Sequence, residues 1–173
     1  MTKIRIVFMG GKQAGCIGLL SVIAADCEVM AVVAYDDIMR EIADKLNIST
    51  FKSIKDEGVI ELLQNCDLLI STHGREIVPP SMLETPILGC INVHPCLYKY
   101  KGANPIEQLI QDNNTKASVG IHYMTELVDS GEVILEKFVD VSGKNNVEEI
   151  YNELYPYYML AIIEAIDKIR NKL

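Results

Sequence analysis

The chain has 173 residues, of which 49% are hydrophobic and 23% charged, and its formal net charge is −8. These values are typical of a single soluble globular domain, here residues 1–173, that is long enough to bury a core. The acidic balance disfavours a nucleic-acid partner, because phosphate binding draws on surplus Lys and Arg. No apolar run reaches the roughly 18 residues of a membrane span, and no signal peptide is visible. We therefore expect a cytoplasmic protein with no membrane partner.

Strand-like and helix-like patterns alternate along the first half of the chain. Apolar, β-branched runs predict strands at residues 4–9, 29–35, 48–51 and 66–71, and helical patterns lie at 15–25, 40–46 and 56–64. This alternation is typical of a parallel sheet built from crossover units. The sequence therefore predicts an α/β, Rossmann-like, mostly parallel sheet with flanking helices.

The second half adds an antiparallel ending to this pattern. It predicts short helices at residues 79–83 and 105–111, and strands at 87–93, 118–124 and 133–141. The last two strands are close enough to pair antiparallel through Asp129-Ser130-Gly131. Asn146, with Glu149 three residues later, begins a final helix with a capping-box pattern. We expect the helix's apolar face to pack on the domain's own sheet, with a homodimer interface as the alternative. That face is formed by Tyr151, Leu154, Tyr158, Ile162 and Ile166.

A glycine-rich turn at residues 10–15 matches neither of the common phosphate-binding motifs. Lys12 stands where a dinucleotide fingerprint needs glycine, and Cys16 follows Gly15 where a phosphate loop needs lysine. What remains is a strand-to-helix turn whose helix N-terminus can hold an anionic group. A plain structural turn is an equally good interpretation.

The scattered cysteines do not predict a disulfide framework or a metal site. Their number, five, is odd, which is typical of reduced thiols. Cys90, His94 and Cys96 lie close together, but their spacing fits no common zinc site. We predict no metal.

An amide, an imidazole and a carboxylate form the main candidate site. Asn92 and His94 lie two residues apart near the end of a predicted strand, so their side chains point to the same side. In acyl transfer, an amide can donate to the developing oxyanion, and a histidine can act as base or donor. Asp129 can orient that histidine. The structural alternative is that His94 caps a strand end and Asp129 begins a turn.

Several segments resemble the folate-dependent formyltransferases. Residues 74–79, 88–95 and 100–102 are similar to the core of that family, and residues 119–124 with 129–131 are similar to its second signature. The order Asn-x-His-Pro and then Asp-x-Gly is a specific signal. One stretch differs: residues 94–102 are one residue shorter than the usual pattern and carry Cys96 in place of serine.

The resemblance implies a reaction and a role for each residue. N10-formyltetrahydrofolate would donate its formyl group directly to a primary amine. Asn92 would hold the formyl oxygen, His94 would act as base and as donor to the oxyanion, and Asp129 would pair with His94. The folate would be bound, largely through backbone groups, at Glu76, Ile77, Val78, Leu127 and Val128.

The resemblance also bears on His73, His122 and Cys96. His73 is expected to line a loop near the folate, and His122 to support the Asp129 segment from its strand. Cys96 is not expected to act as a nucleophile, because direct transfer needs none.

Three branches of the family differ in the amine that they formylate. Methionyl-tRNA formyltransferases carry an additional C-terminal domain, which this acidic sequence does not reach. Glycinamide ribonucleotide formyltransferases have a similar length but usually carry Ser and Asn in the turn at residues 11–15. The stretch Phe8-Met9-Gly10-Gly11-Lys12 is more similar to enzymes that formylate a nucleotide-linked amino-deoxysugar. We therefore predict a nucleotide sugar as acceptor, with glycinamide ribonucleotide second.

Acceptor binding is predicted at residues on both sides of the site. Lys12 would meet the diphosphate, and Tyr98 or Tyr100 would stack on the base or sugar. The full predicted set is Gly11, Lys12, Tyr98, Tyr100 and Lys101. Outside this class, a formyltetrahydrofolate hydrolase or a non-catalytic binding module remains an alternative.

Overall fold

The computed structural model describes residues 3–172, which contain one seven-stranded sheet. Its strands are β1 (Arg5–Gly10), β2 (Glu28–Ala34), β3 (Ser49–Phe51), β4 (Leu68–Thr72), β5 (Cys90–Pro95), β6 (Lys116–Tyr123) and β7 (Val133–Asp140). The helices are α1 (Lys12–Ala24), α2 (Asp37–Lys45), α3 (Glu57–Leu63), α4 (Pro80–Leu83), α5 (Pro105–Gln111) and α6 (Val147–Arg170).

The sheet is parallel at one side and antiparallel at the other. Its strand order is β3-β2-β1-β4-β5-β6-β7. The first five strands pair in parallel, whereas β5 pairs antiparallel with β6, and β6 with β7. The predicted α/β fold with a C-terminal antiparallel strand pair is confirmed.

The central strands are apolar because both faces of the sheet are covered. Along β1, Ile6 and Phe8 belong to one buried cluster, and Val7 and Met9 belong to another. Alternate residues of a strand point to opposite faces, so the two clusters lie on the two sides of the sheet. Helices α1 and α6 supply side chains to the first cluster, and α3 supplies side chains to the second. This double cover explains the continuous apolar runs of the parallel strands.

Helix α6 packs against its own domain, as its apolar pattern predicts. Four residues of the predicted face are almost completely buried in the first cluster: Leu154, Tyr158, Ile162 and Ile166. The helix begins at the predicted cap, where the side chain of Asn146 accepts a hydrogen bond of 2.9 Å from the backbone N–H of Glu149.

Strand β5 begins later than predicted and ends later as well. The run at residues 86–89 is a turn in which Gly89 N–H donates to the Pro86 carbonyl, and Gly89 has a positive φ of 82°. The prediction that the strand begins at residue 87 is wrong because Ile87, although apolar, is 83% exposed. In the observed register, Asn92 pairs with His122 of β6 and with Ser71 of β4. The pairing of β5 with β6 thus places a second histidine, His122, beside Asn92.

None of the helices between residues 3 and 172 combines the length and apolarity needed to cross a membrane.

Candidate active site

The carboxylate of Asp129 lies at the centre of a polar cluster beside β5. Its Oδ1 accepts a 3.3 Å hydrogen bond from Asn92 Nδ2 and lies 3.2 Å from His122 Nε2. Its Oδ2 accepts a 2.8 Å hydrogen bond from the backbone N–H of Gly102 and lies 3.4 Å from His94 Nδ1. The structure therefore brings together the three predicted catalytic residues and adds His122.

The Asp-x-Gly sequence of residues 129–131 suits the backbone of the connection between β6 and β7. Asp129 has a φ of 50°, a left-handed conformation that Asp adopts more readily than most residues. A Cβ atom on Gly131 would lie 1.8 Å from the Tyr123 carbonyl oxygen. Only glycine fits that close approach, so Gly131 lets the connection fold back and hold Asp129 against β5.

The hydrogen bonds of His94 define how its ring is oriented. Its Nε2 lies 2.7 Å from the carbonyl oxygen of Tyr100. A carbonyl only accepts, so we assign the Nε2 proton to this contact. In the neutral ring Nδ1 then carries no proton, and it faces Asp129 Oδ2 at 3.4 Å. Burial lowers the pKa of His94, while the Asp129 carboxylate acts in the opposite direction.

Asp129 is the ionised member of the cluster. Burial acts to raise its pKa, but the neighbouring His122 and His94 and the N–H of Gly102 outweigh burial and lower the pKa to about 2. His122 is held from its other side, because its Nδ1 lies 2.8 Å from the Tyr123 carbonyl oxygen. The expectation that His122 supports the Asp129 segment agrees with this geometry.

Two cavities border this cluster and share part of their walls. The first has a volume of about 410 Å³ and the second about 350 Å³. The residues common to both are Gly74, Arg75, Asn92, His94, Gly102 and Ala103. A group that passes between molecules bound in the two cavities would cross at Asn92 and His94.

The two cavities differ in chemistry. The first cavity is lined in large part by apolar side chains, among them Ile77, Val78, Leu83, Met124 and Val128. The second cavity is bordered by polar groups, among them Lys12, His73, Asn104, Glu107 and Tyr151. The first cavity suits a flat heterocycle, and the second suits a polar, charged molecule.

Four of the five predicted folate-binding residues border the first cavity, and one does not. Glu76, Ile77, Val78 and Val128 border it, but the Glu76 carboxylate is bound by other parts of the protein. Leu127 is 72% exposed and does not border either cavity.

Three predicted acceptor-binding residues lie away from both cavities. Tyr100 is buried and its hydroxyl donates to Asp112, whereas the Tyr98 hydroxyl donates to the Lys116 carbonyl. Lys101 borders neither cavity. The shortened loop explains this placement, because Cys96 adopts a φ of 56° and its carbonyl accepts hydrogen bonds from the two residues that end the turn.

The glycine-rich turn is already occupied by a carboxylate of the protein. Asp36 Oδ2 accepts a 2.5 Å hydrogen bond from the backbone N–H of Lys12, at the start of α1. This carboxylate takes the place in which an external anion would meet the helix N-terminus. Gly11 is buried and borders neither cavity, whereas Lys12 borders the second. Of the predicted set, Lys12 therefore remains the acceptor-side candidate.

His73 borders the second cavity and does not border the first. Its Nε2 is 3.2 Å from the hydroxyl of the buried Tyr158, and its ring meets Tyr151 edge to face. Burial lowers the pKa of His73 to about 4, so its ring is neutral near pH 7.

Sequence reasoning missed Arg75, Asn104, Glu107 and Tyr151, which border the second cavity. Arg75 lies within the family-like segment of residues 74–79, and Tyr151 lies on the predicted apolar face of the last helix, but no motif singles out Asn104 or Glu107.

Cysteines play no visible part in the site. Cys96 is fully buried, and burial raises the pKa of its thiol to about 11. Within residues 3–172, no group of three His, Cys, Asp or Glu side chains is arranged to hold a metal ion.

A Rossmann-like sheet with an Asn-His-Asp cluster between two cavities is the architecture of an enzyme that transfers a group between two bound molecules. A family profile described as formyl transferase matches residues 6–166. The chain belongs to the formyl transferase family.

Curated relatives point to the same family. A methionyl-tRNA formyltransferase from Syntrophomonas wolfei is 29% identical over 182 residues, covering 95% of this chain and 58% of that protein. One from Ehrlichia canis is 30% identical over 131 residues, covering 74% of this chain and 43% of that protein. The chain thus spans about half the length of these relatives.

Solved structures share the fold. A phosphoribosylglycinamide formyltransferase from Anaplasma phagocytophilum superposes with a TM-score of 0.83 at 19% identity, covering 95% of this chain and 85% of that one. A formyltetrahydrofolate deformylase from Pseudomonas syringae superposes with a TM-score of 0.81 at 21% identity, covering 95% and 60%.

Proposed function

We propose that residues 1–173 form a catalytic domain that transfers a formyl group from N10-formyltetrahydrofolate to a primary amine. The observation that carries the proposal is the position of Asn92 and His94 between two cavities of different character. The donor would occupy the apolar first cavity and the amine the polar second cavity. Family membership supports the same reaction.

The cluster supplies the groups that this reaction needs. The amine nitrogen attacks the formyl carbon, a C–N bond forms, and the carbonyl electron pair moves to oxygen. Asn92 Nδ2 donates a hydrogen bond to this oxyanion. His94 acts as the base through Nδ1, and the Asp129 carboxylate beside it stabilises the protonated imidazole. Collapse of the intermediate breaks the bond to N10 of the folate, which receives the proton that the amine has lost.

For the acceptor, we favour the amino group of a nucleotide-linked sugar. Lys12 and Arg75 border the second cavity, and among residues 3–172 neither has a carboxylate within salt-bridge distance. Two free cations in an acidic chain are suited to a diphosphate. Glu107 at the same cavity can accept from sugar hydroxyls or from the amine.

Methionyl-tRNA is the second candidate acceptor. The observation that favours it is the identity of 29–30% to two methionyl-tRNA formyltransferases. The free cations at the second cavity are equally compatible with the phosphates of a tRNA acceptor end.

A formyl-transfer assay with a panel of acceptors tests the proposal. The panel contains amino-sugar nucleotides, glycinamide ribonucleotide and methionyl-tRNA, and products are followed by mass spectrometry together with formate release. We expect formylation of an amino-sugar nucleotide and a loss of about 10²–10³ in rate for Asn92→Ala. Tyr98→Phe, which alters a side chain outside both cavities, is the control. Formate release without any formylated amine would identify a hydrolase and contradict the proposal.

A further inference from the structure

One wall of the first cavity consists of a loop with almost no hydrogen bonds of its own. Residues 74–78 follow β4 and the single residue His73, and Ile77 and Val78 from this loop border the cavity. Among residues 3–172, no backbone–backbone hydrogen bond outside the regular elements involves any of these five residues. Their N–H and C=O groups are therefore available to a ligand, but they do not hold the loop in place.

The side chain of Glu76 supplies the missing attachment. Its Oε1 accepts a 2.7 Å hydrogen bond from Ser53 Oγ. Its Oε2 accepts 3.0 Å hydrogen bonds from the Tyr35 hydroxyl and from the backbone N–H of Ile54. These three are the hydrogen bonds that join the loop to the rest of residues 3–172.

The partners of Glu76 are themselves fixed. Tyr35 directly follows β2, and Ser53 lies between β3 and α3. Asp56 accepts hydrogen bonds from the backbone N–H groups of Lys52 and Ser53, and Ile54 is fully buried in the second core cluster. The carboxylate thus connects the loop of residues 74–78 to the segments that directly follow β2 and β3.

The charge of Glu76 strengthens this attachment. Burial acts to raise the pKa of Glu76, but the hydrogen bonds from Ser53, Ile54 and Tyr35 outweigh burial and hold the pKa below its usual range. The side chain is ionised near neutral pH, and hydrogen bonds to an ionised acceptor are stronger than neutral ones.

We propose that Glu76 is a positioning residue, whose carboxylate, held by Tyr35, Ser53 and Ile54, fixes the loop of residues 74–78 in the shape that binds the folate donor. The inference rests on the proposed function, since it assigns the first cavity to the donor. It adds a role for the Glu76 side chain to the sequence interpretation, in which residues 76–78 bind the folate largely through backbone groups.

A prearranged loop affects donor affinity more than the chemical step. Without the carboxylate, the loop must be ordered on binding, and the cost of ordering weakens the complex. Asn92, His94 and Asp129 do not depend on Glu76 for any hydrogen bond. The expected signature is a higher KM for the donor, with kcat at saturating donor and the KM of the acceptor nearly unchanged.

The test combines direct binding with kinetics. Isothermal titration calorimetry with N5-formyltetrahydrofolate, a stable isomer of the donor, measures Kd for the wild-type protein and for Glu76→Ala, Glu76→Gln, Tyr35→Phe and Ser53→Ala. We expect about tenfold weaker binding for Glu76→Ala and smaller losses for Tyr35→Phe and Ser53→Ala. Glu76→Gln retains an acceptor oxygen, so it should recover part of the affinity.

Glu84→Ala is the matched control, because Glu84 is an exposed carboxylate just after α4 and borders neither cavity. If the wild-type protein does not bind the probe, the proposed function is contradicted. If it binds and the Tyr35, Ser53 and Glu76 variants bind equally well, the positioning role is contradicted while the proposed function stands. If Glu76→Ala does not fold, the Tyr35 and Ser53 variants decide the question. A loss confined to kcat would also overturn the role.

Discussion

At the scale of single residues, Asp129 carries the electrostatics of the site. It is 8% exposed and contacts an amide, two imidazoles and a backbone N–H. Because these groups favour the charged form, the carboxylate stays ionised wherever the protein is folded near neutral pH. The same contacts make Asp129 a contributor to stability.

We expect Asp129→Asn to lower the free energy of unfolding at neutral pH by about 2 kcal/mol. The folded-state pKa of about 2 lies below the ordinary value of 3.8 that holds in the unfolded chain, so the stabilisation is fully present above that unfolded pKa. It is lost as the pH falls through the folded pKa. Urea unfolding of both proteins between about pH 7 and pH 2 should show two curves that converge at the acidic end.

Asp44→Asn provides the comparison, because Asp44 is exposed on α2 and takes part in none of the ion pairs of residues 3–172. Its effect should stay within about 0.5 kcal/mol at every pH. A constant stability difference between wild type and Asp129→Asn down to the lowest pH would show that the Asp129 charge does not stabilise the fold.

At the scale of elements, the start of α6 is set by one side chain. Asn146 Oδ1 accepts from the Glu149 N–H at 2.9 Å, while the Glu149 carboxylate reaches the N–H of Asn145 at 3.5 Å. We predict that Asn146→Ala lowers the free energy of unfolding by about 1 kcal/mol, because a helix N–H loses its partner. Asn145→Ala should have little effect, because the side chain of Asn145 takes no part in the cap. Denaturant unfolding distinguishes the two, and equal effects would contradict the capping role.

Patterns in the sequence predict elements well where a local rule determines them. The cap of α6 and the start of α5 follow from Asn146 and Pro105, each of which satisfies a local requirement at a helix start. Strand β5 is different, since Ile87 is apolar but lies on a turn that depends on Gly89. Hydrophobicity alone does not distinguish a buried apolar side chain from an exposed one.

In the candidate site, too, residues that fit a local motif can be predicted from the sequence, whereas side chains placed by distant contacts cannot. Asn92, His94 and Asp129 can be predicted from the sequence because their residue types fit a reaction and a motif. Tyr98 and Tyr100 were assigned to the acceptor because aromatic rings can stack, yet their hydroxyls bond to the α5–β6 region. The direction of a loop side chain depends on contacts with residues distant in sequence, which a motif does not contain.

At the scale of the whole molecule, both cavities lie where the parallel and antiparallel parts of the sheet meet. Strand β5 pairs in parallel with β4 and antiparallel with β6. The parallel side contributes the loop after β4, and the antiparallel side contributes the Asp129 connection. Ligands of open α/β sheets bind beyond the carboxyl ends of the strands, at such a change in topology.

This arrangement predicts which surface changes disturb donor binding. Under the proposed function, N5-formyltetrahydrofolate at about 100 times its Kd should stabilise the native state by about 2.7 kcal/mol. For a chain of this size, that corresponds to an increase in Tm of about 5–10 °C. Val128→Glu should abolish the increase, because it places a carboxylate in the apolar wall of the first cavity.

The side chain of Val128 is 53% exposed, so the substitution should leave the fold intact. Leu160→Glu is the matched control, because Leu160 is 54% exposed on α6 and borders neither cavity. It should retain the full increase in Tm, and so should Lys12→Ala, which alters only the second cavity. Thermal unfolding with and without N5-formyltetrahydrofolate measures the increase in Tm for the wild type and the three variants. If Lys12→Ala removes the increase and Val128→Glu preserves it, the donor binds in the second cavity, and the assignment of the two cavities must be exchanged.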